Sequence, residues 1–219
     1  MTFFQRLQQE TAQSQQLIMQ APIIQQCAEG NITKDAYIKF LTQAYHHVKH
    51  TVPLLMACGG KLSQDHEWVR QALAEYIEEE YGHQEWILND ITACGGDTQL
   101  VRENTGIGKV GTSIDLMISY LYHQIDRCNP MGLFGMVWVL EGSSVGIGAE
   151  VARQVKETLQ LPEDAMSYLV SHSVLDQDHI QFFEQLMNQI TKPEDQQAII
   201  DSANMVFRLY AGMLNELTQ

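Results

Sequence analysis

Apolar residues recur at alternating steps of three and four along almost the whole chain, the spacing of a helix with one buried face. Val69, Leu73, Tyr76 and Ile87 follow that step, as do Phe134, Val137 and Ala152, and again Leu169, Phe183, Leu186 and Ile190. With only five prolines to interrupt the pattern, it predicts an all-α protein. The punctuation divides it. Thr2 caps a first helix ending near Gly30, and Thr33 opens a second that Gly59-Gly60 stops after Cys58, with a kink or break at Pro53. A third helix runs from Ser63 or Asp65 to Cys94, before Gly95-Gly96. Residues 96–111, with Gly106, Gly108 and Gly111, read as one long irregular connection. Helices are then expected from Thr112 to Cys128, from beyond Asn129-Pro130 to Leu159, from Pro162, and from Pro193 to the end. That is a bundle of about seven or eight long helices. No linker or low-complexity tract divides it, so residues 1–219 are read as one domain.

Polar residues occupy seam positions in three of these helices. Between Leu169 and Phe183 the step falls on His172, Asp176 and His179, an H-x3-D-x2-H pattern that stacks side chains on successive turns of one face. In the third helix it falls on Glu80 and His83, an E-x2-H pair, with Glu79 as a rival register. Between Val137 and Ala152 it falls on Glu141, the one charge between Arg127 and Glu150. Each piece has a plain alternative: a rotated seam for the triplet, a charged surface face for the acidic run, and close helix packing for the small residues after Glu141. Burying such groups without compensation costs several kcal/mol each. Three carboxylates and three imidazoles turned inward together point to metal, and six mixed N/O ligands suit two iron or manganese ions better than one structural zinc.

Composition narrows the function. With 27 Asp+Glu against 13 Lys+Arg, the net charge of −14 argues against nucleic acid and against a polybasic membrane contact. No apolar run reaches membrane-spanning length and the N-terminus has no signal-peptide pattern, so a cytoplasmic protein is expected. Cys27, Cys58, Cys94 and Cys128 form no C-x2-C pair and read as buried free thiols. His46 and His50, four apart, read as hydrogen-bonded or solvated rather than metal-binding.

The pattern Glu80-x2-His83, Glu141, His172-x3-Asp176-x2-His179 resembles the haem-oxygenase-like di-iron oxidases, over roughly residues 10–215 in helix number and order. These share an all-helical fold with the TenA thiaminases, the PqqC-type oxidases and haem oxygenase. The resemblance implies a haem-oxygenase-like helical domain whose metal ligands are Glu80, His83, Glu141, His172, Asp176 and His179. It implies two irons, with manganese as an alternative, that use O2 to attack a C–H or N–H of a small organic molecule, aided by an external electron donor. Position 76, where some members carry a glutamate seven residues before the histidine, is tyrosine here. Tyr45, Val48, Val52, Tyr120 and Ser144 are expected to line the substrate pocket, and a homodimer is the default assembly. The rival readings are a TenA-type thiaminase using Cys128 or Glu141, and a non-catalytic small-molecule or metal-binding protein on the same fold.

Overall fold

The computed structural model describes residues 1–143 and 148–218, with the backbone alone at 143 and 171–179. Among the described residues there are twelve α-helices and no strand. They are α1 (Phe3–Met19), α2 (Pro22–Ala28), α3 (Lys34–Val48), α4 (Thr51–Lys61), α5 (Glu67–Glu80), α6 (His83–Ala93), α7 (Thr98–Glu103), α8 (Thr112–Arg127), α9 (Leu133–Ser143), α10 (Ala149–Leu159), α11 (Ser167–Gln189) and α12 (Pro193–Glu216).

The expected class holds, but the count is higher because long periodic segments break locally without losing their seam. The first segment divides at Gln20-Ala21, where Pro22 occupies the first turn of α2 and Ala21 is extended before it. The second divides at Lys49-His50 rather than at Pro53 itself. Proline cannot donate to the carbonyl four residues back, so the break falls ahead of it and Pro53 sits in the first turn of α4. Gly59-Gly60 does not stop α4, which continues to Lys61. Gly95, at φ +83°, does end the α6 segment. The connection at 96–111 contains α7, capped by the Asp97 carboxylate on the amides of Gln99 and Leu100.

α9 is apolar all round, and Leu133, Phe134, Val137, Trp138 and Val139 are all buried, so it runs through the core rather than along its surface. It packs against α12, and Gly135 permits the approach: a Cβ there would stand 2.5 Å from the Ala203 amide nitrogen. The Trp138 indole donates to the Thr11 hydroxyl at 3.0 Å and its ring stacks on Phe183, tying α1, α9 and α11 together. Among the described residues no helix is long and apolar enough to cross a membrane.

α3 clamps the connection before α8. Gln43 donates to the Lys109 carbonyl and accepts from the Gly111 amide. His46 Nε2 donates to the Gly108 carbonyl at 2.7 Å while its Nδ1 accepts from Lys49 at 3.2 Å, so the ring is a hydrogen-bonded core histidine as expected. His50 Nδ1 pairs with the Tyr122 hydroxyl at 3.3 Å. Burial lowers both imidazoles below their ordinary value. The Gly108 carbonyl opposes this at His46 and Asp115 opposes it at His50, while Lys49 reinforces it at both. The folded chain therefore resists protonation where the unfolded chain accepts it, below about pH 6.5. Stability from the neutral rings is whole above that pH and falls as pH drops toward the lowered folded values. Thermal melts from about pH 7.5 to about pH 5.5 are expected to show a falling Tm, with a shallower slope in His46→Gln/His50→Gln. An unchanged slope in that variant would refute the assignment.

Candidate metal centre

The third predicted helix does not carry Glu80 and His83 on one continuous face. α5 ends at Glu80, Tyr81 is extended, and Gly82 takes a left-handed conformation at φ +95° before His83 opens α6. The two side chains nevertheless meet, with Glu80 Oε2 3.3 Å from His83 Nδ1. The apolar seam also survives the break, since Val69, Leu73, Tyr76, His83 and Ile87 are all buried. Gly82 is therefore the joint that brings the pair together. No atom would obstruct a Cβ at this position, so a side chain there meets only backbone strain. Gly82→Ala is expected to cost about 1–2 kcal/mol, measured by urea unfolding; a cost near zero would show that the joint adapts.

Glu80 lines a cavity of about 150 Å³ together with Glu141, Tyr76 and His47. Glu79 is exposed, so the neighbour that faces this space is Glu80. Glu141 is buried on α9, and the Tyr76 phenol lies against it. Burial first, then the Glu141, Glu79 and Glu80 charges, hold that phenol well above its ordinary pKa and hence neutral. His83 is buried behind Glu80, its ring stacked on Trp86 at 4.0 Å between centroids.

The side chains of His172, Asp176 and His179 lie outside the described residues, but the backbone of α11 brackets them. On one side Tyr168 and Leu169 line the cavity. On the other, Phe182 meets Tyr76 edge-on and Phe183 packs on Trp138. Helix α11 packs against both α6 and α9, which carry His83 and Glu141. Its N-terminus is fixed by Asp90 of α6, which is fully buried and accepts from the Ser167 amide at 3.0 Å, the Tyr168 amide at 2.9 Å and the Ser167 hydroxyl.

These residues suit a metal. Two donors about 2.1 Å from one ion at near right angles stand about 3 Å apart, close to the Glu80–His83 separation. Among the described residues no group of three or more His, Cys, Asp or Glu is gathered into a complete metal site. Three of the six expected ligand side chains fall within 171–179.

The pocket residues divide. Val48 lines the cavity, whereas Tyr45, Val52 and Tyr120 are not among the described residues that line it, and Ser144 lies outside the described residues. Tyr45 is buried beneath the Lys49 ammonium, 5.4 Å from its ring centroid, and Val52 lies beyond the break at Lys49-His50. Among the residues not foreseen are His47, Thr51, Tyr168 and Tyr210, which line the cavity, with His47 edge-on to Tyr210 at 6.0 Å. The spacing of His47 and Val48, adjacent in sequence, held no signal that both face one space at the end of a helix.

No cysteine lines the cavity. Cys27, Cys58 and Cys94 are buried as expected, and burial raises their thiols, to about 11 for Cys27 and about 12 for Cys58. Cys128, expected to be buried, is exposed at the end of α8.

Several solved structures share this fold. A domain of unknown function with a haem-oxygenase-like fold from Shewanella denitrificans superposes with a TM-score of 0.87 at 21% identity, covering 100% of this chain and 92% of its own. A TenA homologue from Pseudomonas syringae gives 0.79 at 12% identity, covering 99% and 93%. Haem oxygenase-1 from the cyanobacterium Synechocystis, in complex with haem, gives 0.76 at 14% identity, covering 99% and 92%. No curated protein matches the chain in sequence. The family model for iron-containing redox enzymes, however, matches residues 38–211. By that match and by its haem-oxygenase-like fold, the chain belongs to the iron-containing redox enzyme family.

Proposed function

We propose that the chain binds two iron ions on Glu80, His83, Glu141, His172, Asp176 and His179 and uses O2 to oxidise a small organic molecule in the adjoining cavity. The observation that carries this is the meeting of Glu80 and His83 at 3.3 Å beside a cavity that Glu80 shares with the buried Glu141. Manganese is the alternative metal, and an external electron donor completes the turnover. When bound, ferrous ions supply the reduction of O2, which side chains alone do not provide.

The residues of the chain do the rest. Glu80 and Glu141 bring negative charge into a largely apolar cavity, where it attracts cations strongly. His83, held by Trp86, keeps Nδ1 directed at Glu80. The neutral Tyr76 phenol keeps its proton next to Glu141, where it serves as a hydrogen-bond donor. Leu140, Leu169 and the other apolar walls exclude water from the space in which a substrate C–H or N–H is placed. A thiol-dependent thiaminase reading lacks its nucleophile, because all four cysteines stand away from the cavity.

Anaerobic loading with Fe(II), counting iron per chain, and then exposure to O2 with absorbance followed in time test the reading. About two irons and a transient visible band are expected, with both reduced in His172→Ala and Asp176→Ala. Absence of iron uptake by the folded parent would end it.

A further inference from the structure

We propose that the cavity selects a compact, uncharged, largely hydrocarbon molecule of single-ring size, and rejects anionic substrates. Only the word substrate rests on the oxidase reading; the selection itself concerns binding.

The walls carry no fixed positive charge. Among the described lining residues there is neither lysine nor arginine. The residues outside that description, 143–147 and 171–179, contain none in sequence, so they add none. The basic side chains are engaged elsewhere at the surface, for example Arg102 with Glu85, Arg153 with Glu150 and Lys192 with Asp65. A buried carboxylate or phosphate meets no guanidinium or ammonium to offset its desolvation: in the metal-free chain it would stand beside Glu80 and Glu141, and in the loaded chain the charge of the ions is largely met by their own carboxylate ligands.

A cationic ligand is disfavoured for a different reason. The two carboxylates that would attract it are the ones assigned to metal, and metal-bound carboxylates have their charge already offset. The uncommitted polar groups of the wall are neutral in type: the hydroxyls of Thr51 and Tyr210, beside the His47 ring that meets Tyr210 edge-on. They suit one hydroxyl, carbonyl or amide on an otherwise apolar body. The size follows from the volume of about 150 Å³. An apolar cavity of about that volume accepts benzene, so roughly six to ten heavy atoms fill it.

Benzyl alcohol, benzoate and benzylamine present one ring with a neutral, an anionic and a cationic head. Their binding is measured by calorimetry and by ligand-observed NMR on three samples: the Fe(II)-loaded protein under anaerobic conditions, the metal-free protein, and Glu80→Gln/Glu141→Gln, which removes the carboxylate charges. Benzyl alcohol is expected to bind at least about tenfold more tightly than benzoate in all three, and than benzylamine in the loaded protein and the double variant. Val137→Phe or Val48→Phe, each pointing a ring into the cavity, is expected to abolish its binding while the circular dichroism stays helical; whichever of the two folds decides the point. Benzoate binding as tightly as the alcohol in the double variant, benzylamine binding most tightly in the loaded protein, or no binding of the alcohol at about 10 mM would overturn the proposal. Iron content is read separately. A chain that takes up no iron yet prefers benzyl alcohol refutes the oxidase reading alone, and a chain that takes up iron yet prefers benzoate refutes this one alone.

Discussion

Replacing Glu141 by glutamine is expected to lower iron affinity by on the order of 100-fold or more, while leaving the metal-free protein at least as stable as the parent. The two halves of this result have one cause. Glu141 is buried on α9 and shares a cavity with Glu80. Two carboxylates on one largely apolar cavity repel each other, and a bound cation offsets that repulsion. Glutamine keeps the shape and a hydrogen-bonding oxygen for Tyr76 but removes one negative charge, so the metal-free fold loses little and gains relief from repulsion. The proposed metal site loses a charged ligand. Fe(II) should therefore raise the Tm of the parent by mass action and leave that of Glu141→Gln almost unmoved. Titration of Fe(II) against a competing chelator, together with thermal melts with and without iron, reads both halves. If Glu141 serves only to anchor Tyr76, the variant will instead melt lower without metal and bind iron as before.

The second large effect is expected at a residue outside the proposed ligand set. Asp90→Ala should destabilise the chain by about 2–4 kcal/mol, a fall in Tm of roughly 5–15 °C for a protein of this size. Asp90 is fully buried and accepts three hydrogen bonds, from the amides of Ser167 and Tyr168 and from the Ser167 hydroxyl. Met166, the residue at the cap position of α11, makes no side-chain capping hydrogen bond. Removing the carboxylate therefore strands two helix-terminal donors in the interior, the costly way to lose a hydrogen bond. Asp90→Asn keeps one acceptor and should lose about half as much. Because α11 carries His172, Asp176 and His179, the alanine variant should also bind iron more weakly at temperatures where it is still folded. A variant with lowered Tm and undiminished iron uptake would show that α11 is positioned from its other end, by Phe182 and Phe183.

How legible each feature was depends on its physical range. The seams were legible because burial repeats with the helical period. Val69, Leu73, Tyr76 and Ile87 are buried as their spacing implies, and so are Phe183, Leu186 and Ile190. That periodicity is local, so it survives small breaks, and for the same reason it does not report them. The joint at Gly82 leaves no mark on the step from Glu80 to His83. The anomalies at Glu80, His83 and Glu141 were legible as charge where apolar residues belong, and the structure places Glu80 and Glu141 on one cavity with His83 behind. The pocket walls were not legible in the same way. Val48 and His47 face the cavity while Tyr45 lies beneath Lys49, a division set by where α3 ends and how α12 brings up Tyr210.

By itself, then, the chain's order of residues determined the helical class, the inward faces and the types of side chain available for metal chemistry, all properties of neighbours within a few turns. Only the tertiary structure decided that Asp90 holds the start of α11, that no cysteine reaches the cavity, and that His47, Tyr76 and Tyr210 share it with Glu80 and Glu141. Those relations join residues tens to more than a hundred positions apart, and packing in three dimensions, rather than any local periodicity, is the physical agent that brings them together.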